Sequence, residues 1–168
     1  MPTTITGTDG VSQVQTGAVE SGDLPAGSVI QVVQEEFLGA NTGEIVTNST
    51  SYVDSNISAS ITPQFTTSKI LICCVLGGTF KAQSDTSLVT NISRGTTQLF
   101  ETVGLYTNSS EFLAGSSTTM IFLDTPSTVS PVAYKIQFKS ANGGNVVING
   151  NLFGNQGNSN ITLMEIAG

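Results

Sequence analysis

A chain of 168 residues makes one domain, or one domain with a tail, and is long enough to bury a real core. It holds no histidine and no tryptophan, which excludes Ser-His-Asp and Cys-His nucleophile systems and any histidine-bearing zinc site. Only 10% of its residues are charged and the net charge is −7, the opposite of the clustered positive charge that a nucleic-acid phosphate track requires.

What fills the chain is small and polar. Ser, Thr, Asn and Gly account for 73 of the 168 residues. Such a composition with low charge suits disorder, but 38% hydrophobic residues set in β-branched runs argue for a packed β protein. The longest apolar run, Ile70 to Gly78, is far short of the roughly 18–20 residues of a spanning helix, so no membrane insertion is expected. The start, Met1-Pro2-Thr3-Thr4, has neither positive charge nor an apolar stretch and does not read as a secretory signal. Asn-X-Ser/Thr triplets begin at Asn48, Asn56, Asn91, Asn108 and Asn160, and in a chain this rich in these residue types they are compositional.

Residues 1–27 stand apart. They carry scattered Gly and Thr and no apolar periodicity, so they read either as a frayed tail or as an extended arm that orders on assembly. From Ser28 to the end, residues 28–168, the pattern is a succession of strands. Val29 to Gln34 opens it, followed by Ser51 to Asp54 and the alternating run Ile57 to Ile61, which Pro63 ends because it cannot donate to a ladder. Ile70 to Leu76 is apolar on both faces, as a strand at the centre of a sandwich would be. Within it, Cys73 and Cys74 point to opposite faces and read as two buried free thiols, which suits folding in a reducing cytoplasm.

Leu88 to Ile92, Gln98 to Phe100 and Thr119 to Leu123 come next. Ala133 to Lys139 alternates cleanly, with Tyr134, Ile136 and Phe138 on one side. Asn142-Gly143-Gly144-Asn145 then reads as a hairpin turn leading to Val146 to Ile148, and Ile161 to Ile166 closes the chain. Roughly ten short strands with Gly, Asn, Ser and Pro between them predict an all-β antiparallel sandwich or jelly roll. No stretch has helical periodicity.

Charge is uneven along the chain. Residues 1–68 carry all of the net −7, having seven acids and no base, while residues 69–168 are balanced. Solubility of an exposed edge is the simpler account, and docking on a basic partner surface is the sharper one. No constellation carries catalysis. Glu35 and Glu36 are adjacent and point to opposite sides of a strand, and the Gly-rich stretch opens no helix that could bind phosphate. Asn149 to Asn160 supplies Asn without the acids a calcium site would want. No catalytic, cofactor-binding or metal-binding residue is therefore singled out, and no enzyme activity is expected.

Several segments form an ordered set: Gly27 to Val33, Ser51 to Asp54, Ile61-Thr62-Pro63 with Ser68 to Ile72, and Ile92 to Thr96. The set continues with Leu123 to Thr128, Tyr134 to Gln137, Ile148 to Asn151 and Ser159 to Ile166. Together, over about residues 27–168, they resemble a β-rich domain of tail-fibre-like and virion-surface proteins of tailed bacteriophages, notably of marine and cyanobacterial hosts. The resemblance implies a trimeric, TNF-like jelly-roll knob, assembled in the host cytoplasm and displayed on the virion surface. It implies a non-enzymatic structural role, with residues 1–27 attaching the knob to a major capsid or tail protein. Fibre proteins with such an ending normally carry a long shaft, whereas about 27 residues precede it here, which turns the expectation toward head decoration, a cement role or a short fibre. The alternative is a carbohydrate-binding module that contacts host surface glycan; sugar platforms usually use exposed aromatic rings, and this chain has few. Trimerisation should cover a leftover apolar strand face, either that of Ile161 and Leu163 or that of Tyr134 and Phe138.

Overall fold

The computed structural model describes residues 21–83, 85–106, 114–152 and 154–168. Twelve strands are present among them. The first six are β1 (Val29–Leu38), β2 (Ile45–Thr47), β3 (Val53–Ile61), β4 (Lys69–Lys81), β5 (Ser87–Arg94) and β6 (Thr97–Tyr106). The rest are β7 (Ala114–Asp124), β8 (Val132–Ser140), β9 (Val146–Ile148), β10 (Asn151–Leu152), β11 (Asn155–Gln156) and β12 (Asn158–Ile166). Helix is confined to a 3-10 turn at Ser21–Asp23 and a four-residue α1, Gly39–Thr42.

β8 shows why these residues make strands. Tyr134, Ile136 and Phe138 are fully buried, while Lys135, Gln137 and Lys139 on the other face are half-buried. A period of two in hydrophobicity is the period of the pleat, so one face enters the core whole. β3 obeys the same rule, and it stops at Ile61 ahead of Pro63 as the sequence predicts.

Every strand pairing is antiparallel. One sheet runs β1-β12-β4-β7, with β9 and β2 continuing it beyond a bulge in β4. The second runs β3-β8-β5-β6. Taken in chain order, the eight long strands switch sheet at each step except between β5 and β6, a tight hairpin at Gly95 with φ 58°. Two four-stranded sheets interleaved in this order are an antiparallel jelly roll. The fold expected from the sequence is therefore the fold observed.

The inner faces meet in one core. Ile72, Cys74, Ile161 and Leu163 from the first sheet pack opposite Ile57, Ile92, Ile136 and Phe138 from the second, all fully buried. At about 25 cal/mol per Å² of apolar area removed from water, each such side chain contributes roughly 1.5–3 kcal/mol before ordering costs.

Three local expectations are corrected. Ser51 to Asp54 and Ile57 to Ile61 are not two strands: Ser51 and Tyr52 precede β3, and Val53-Asp54 joins Ile57 to Ile61 in that one strand through a bulge at Asn56. Asn56 adopts φ 61° where the register with β8 shifts, Ser55 and Ile57 on either side of it both face inward, and the Ser55 hydroxyl donates to the Ile136 carbonyl at 2.6 Å. The stretch Asn142 to Asn145 is not a hairpin turn, because β8 and β9 lie in different sheets. It is a corner crossing the sandwich, after which Val146 and Val147 pair with Lys81 and Phe80 of β4. Finally, the apolar run at 70–76 continues through Gly77 and Gly78 to Lys81. Gly78 has φ 56°, and a Cβ there would lie 2.5 Å from the Gly150 carbonyl oxygen, so the bulge requires glycine.

Of the expected arm, residues 1–20 lie outside the described residues. Residues 21–27 are not extended: they hold the 3-10 turn and a further turn. The Gly27 N–H then donates to the Ala167 carbonyl, and the β1–β12 ladder begins.

Candidate functional site: two unlike outward faces

The buried titratable groups are used up within the fold. Asp124 ends β7 on the first sheet and is almost fully buried. It accepts from Arg94 Nη1 at 2.9 Å and from the Tyr134 hydroxyl at 2.7 Å, both on the second sheet. This cluster ties the two sheets together at one end of the sandwich. Burial, then the hydrogen bond to Asp124 and its charge, push the Tyr134 pKa well above the ordinary tyrosine value. Glu165 of β12 is fully buried and accepts from Gln31 Nε2 and from the Gln64 backbone N–H. Burial alone would raise its pKa, but the side chains of Ser68 and Gln31 and the amides of Gln64 and Phe65 outweigh it and hold the carboxyl below its usual range. Neither carboxylate faces a cleft, so both act as clips rather than as acids poised for proton transfer.

Cys73 and Cys74 lie on opposite faces of β4 as the sequence implies, but only Cys74 is fully buried; Cys73 is half-buried, because its parity faces outward from the sandwich. Burial pushes the Cys74 thiol up to about 12, out of reach of redox chemistry at neutral pH. Among the described residues no group of three or more His, Cys, Asp or Glu could hold a metal ion. A hollow of about 140 Å³ lies between Leu24, Phe65, Thr67 and Ala167. Small-molecule sites are commonly about 300–1,000 Å³, so this one is undersized.

The two outward faces of the sandwich differ in kind. On the second sheet the face is polar. Lys135 pairs with Asp54 at 2.9 Å, and Lys139 sits 4.4 Å from the Tyr52 ring centre. Glu101, which accepts from the Tyr52 hydroxyl, is held below its usual range first by that bond and then by Lys139. Small residues Asn91 and Ser93 on β5 lie beneath this layer and are covered by it.

On the first sheet the outward face is apolar. Strand register sets Val32, Met164, Leu71 and Leu123 in one cross-strand row. The next row is Gln34, Thr162, Cys73 and Ile121, and the next Glu36, Asn160, Val75 and Thr119. Val32 is 56% exposed, Ile121 60% and Leu123 47%. Scattered exposed apolar residues are ordinary, whereas the row Val32, Met164, Leu71 and Leu123 is a contiguous apolar set across four strands.

This overturns the faces expected to be left over. Ile161, Leu163, Tyr134 and Phe138 are all fully buried in the monomer core. The two rows named from the sequence face each other across the sandwich instead of facing a neighbour. The signal for the true face was present at 70–76, where both parities are apolar. A sandwich strand buries only one face in its own core, so the second apolar parity at Leu71, Cys73 and Val75 belongs to the outside.

No family model matches this chain, and no curated protein matches it. Among solved structures, it is similar to the infectious bursal disease virus VP2 subviral particle, with a TM-score of 0.47 and 14% identity over 84% of this chain and 34% of that one. It is also similar to the dimeric latent PorU of Porphyromonas gingivalis, with a TM-score of 0.36 and 8% identity over 85% of this chain and 14% of that one. A third likeness is to the infectious bursal disease virus Gx strain, with a TM-score of 0.32 and 15% identity over 85% and 35%. The chain spans about a third or less of the length of each. The jelly-roll assignment rests on the strand order itself and not on these likenesses.

Proposed function

We propose that this chain is a non-enzymatic structural protein of a tailed-phage virion. It is displayed on the particle surface as a homotrimeric jelly-roll knob, as a head decoration or cement protein or as a short fibre. Residues 1–27 join it to a major capsid or tail protein, after assembly in the host cytoplasm. The observation that carries the reading is the contrast between the two outward faces. A solvated polar layer of Lys135, Lys139, Glu101 and Tyr52 covers one side, and an uncovered apolar sheet lies on the other. A body built this way is made to sit against other copies or against a larger assembly.

The internal chemistry agrees with that role. Asp124 and Glu165 accept hydrogen bonds from donors inside the fold, and the hollows beside Thr79 and beside Phe65 are small. A glycan-binding reading would draw on exposed rings. The most exposed described rings, Phe65 and Tyr106, lie at opposite ends of the sandwich and form no common platform. The experiment is reconstitution: the purified chain is added to particles that lack it, and bound copies are counted. Saturable binding at a fixed number of sites supports the reading. No binding, together with turnover of any substrate that vanishes on mutating one carboxylate, would overturn it.

A further inference from the structure

We propose that Asn142 is a site of spontaneous covalent modification, where the chain converts its own carboxamide to aspartate or isoaspartate. The fold confines this chemistry to Asn142 and shields Asn149 from it. The inference goes beyond the virion reading above and does not depend on it.

The chain holds two Asn-Gly pairs, Asn142-Gly143 and Asn149-Gly150. In such a pair the glycine amide gives its proton to hydroxide, and its nitrogen attacks the Asn Cγ. A bond forms between that nitrogen and Cγ, and the Cγ–Nδ2 bond breaks. Ammonia leaves after taking a proton from water, which restores the hydroxide. Water then opens the cyclic imide at either carbonyl, giving aspartate or isoaspartate, so water is the only co-reactant. Glycine suits the step because no Cβ shields its nitrogen. Both pairs share that advantage, and their surroundings decide between them.

At Asn149 every moving part is held. The residue is fully buried, and its Oδ1 accepts from the Ser159 hydroxyl. The Gly150 N–H, which would have to lose its proton, donates to the Gly78 carbonyl at 2.9 Å. Gly150 is packed against the Phe80 ring, where even a Cβ would sit 2.0 Å from a ring carbon. Hydroxide reaches this amide only when the β4 bulge opens, which is a rare event for a buried, hydrogen-bonded segment.

Asn142 lies in the exposed corner between β8 and β9. Gly143 has φ 94°, and nothing lies within 4 Å of the place a Cβ would take. Two bonds hold the pair: Asn142 Nδ2 donates to the Asp85 carbonyl, and the Gly143 N–H donates to Ser140 Oγ at 3.0 Å. Water can replace either partner at the surface, so the net cost of releasing them is small. Conversion then leaves a carboxylate where the amide donor stood. The Asp85 carbonyl loses its donor, and a chain already at −7 gains one more negative charge. The corner keeps its other ties, Ala82 N–H to the Asn145 carbonyl and Asn145 N–H to Gln83 Oε1, and these should loosen while the sandwich stands.

The test incubates the full chain at mildly alkaline pH, folded and in urea, and follows both pairs by peptide mass mapping and isoaspartyl methylation. In the folded parent, Asn142 should convert at least tenfold faster than Asn149. In urea the two rates should come within about threefold of each other, because the shielding is gone. Folded Asn142→Ser should show no conversion at that peptide. Hydrogen exchange of the Ala82 and Asn145 amides should quicken in converted chains, with that of Ile136 unchanged. Equal rates at the two pairs in the folded parent would overturn the proposal. So would the same preference for Asn142 in urea, which would assign the selectivity to neighbouring sequence and not to the fold.

Discussion

Removing one oxygen atom, by Tyr134→Phe, tests how the two sheets are held together. The Tyr134 hydroxyl is fully buried and donates to Asp124 at 2.7 Å, across the sandwich. A hydrogen bond to a charged partner is worth about 1.5–3 kcal/mol net, and the ring itself stays to fill its place in the core. Unfolding by urea at one fixed protein concentration should therefore show a loss of about 1.5–3 kcal/mol. The melting temperature should fall by roughly 3–12 °C, at about 2–4 °C per kcal/mol for a chain of this size. The pH dependence adds a second check. Tyr134 has its pKa raised in the folded protein, so its contribution is intact below the unfolded value of about 10 and is lost as pH rises beyond it. In the parent, each pH unit above about 10 should remove up to about 1.4 kcal/mol on account of Tyr134. Tyr52 is also raised, chiefly by its own burial and then by Glu101, so alkaline sensitivity in Tyr134→Phe should be reduced but not abolished. A loss below about 0.5 kcal/mol, with identical alkaline slopes, would refute the role given to this bond.

Other outcomes follow from single contacts. Glu165→Gln should be less stable than the parent at neutral pH, with the gap narrowing below about pH 4, because a carboxyl with a lowered folded pKa stabilises only while ionised; a gap that does not change with pH in urea titrations would contradict this. Gly150→Ala would set a Cβ 2.0 Å from the Phe80 ring, and should cost about 1–3 kcal/mol in chemical unfolding, whereas parent-like stability would show that the ring can move aside. Cys74 should label with maleimide only after unfolding, and prompt labelling in the native protein would place it outside the core. Deleting residues 2–20 should leave a folded body, since the ladder begins at Gly27, and should abolish particle binding that in the parent weakens as salt rises; full occupancy by the truncated chain would assign docking to the body.

Much of the jelly roll was legible because burial on one face writes a period of two into the chain. β8 shows it most plainly, with Tyr134, Ile136 and Phe138 inside and two lysines outside. Pro63 gave a strand end, and the adjacent cysteines gave opposite faces. What escaped were features set by pairing between distant segments. Nothing local in Asn142 to Asn145 tells a hairpin from a corner; the difference is that Val146 and Val147 find partners at Lys81 and Phe80, some 65 residues earlier. The joining of two strand patterns through Asn56 depends on the Ile136 carbonyl that receives Ser55. The early half of β7, Ala114 to Thr118, is small and polar and is strand only because β4 runs beside it. The outward apolar face was present in the residues but assigned to the wrong strands. Alternation says that two faces differ, and only the packing of the sheets says which one is inside.

The central claim, a trimeric structural knob on a virion, is tested most directly by electron cryomicroscopy of particles assembled with and without the gene for this chain. The account predicts surface density of three jelly rolls around a local three-fold axis, with the apolar face of the β1-β12-β4-β7 sheet covered, and loss of that density in particles without the gene. Identical particles from both preparations, or density holding single copies with that sheet open to solvent, would contradict it.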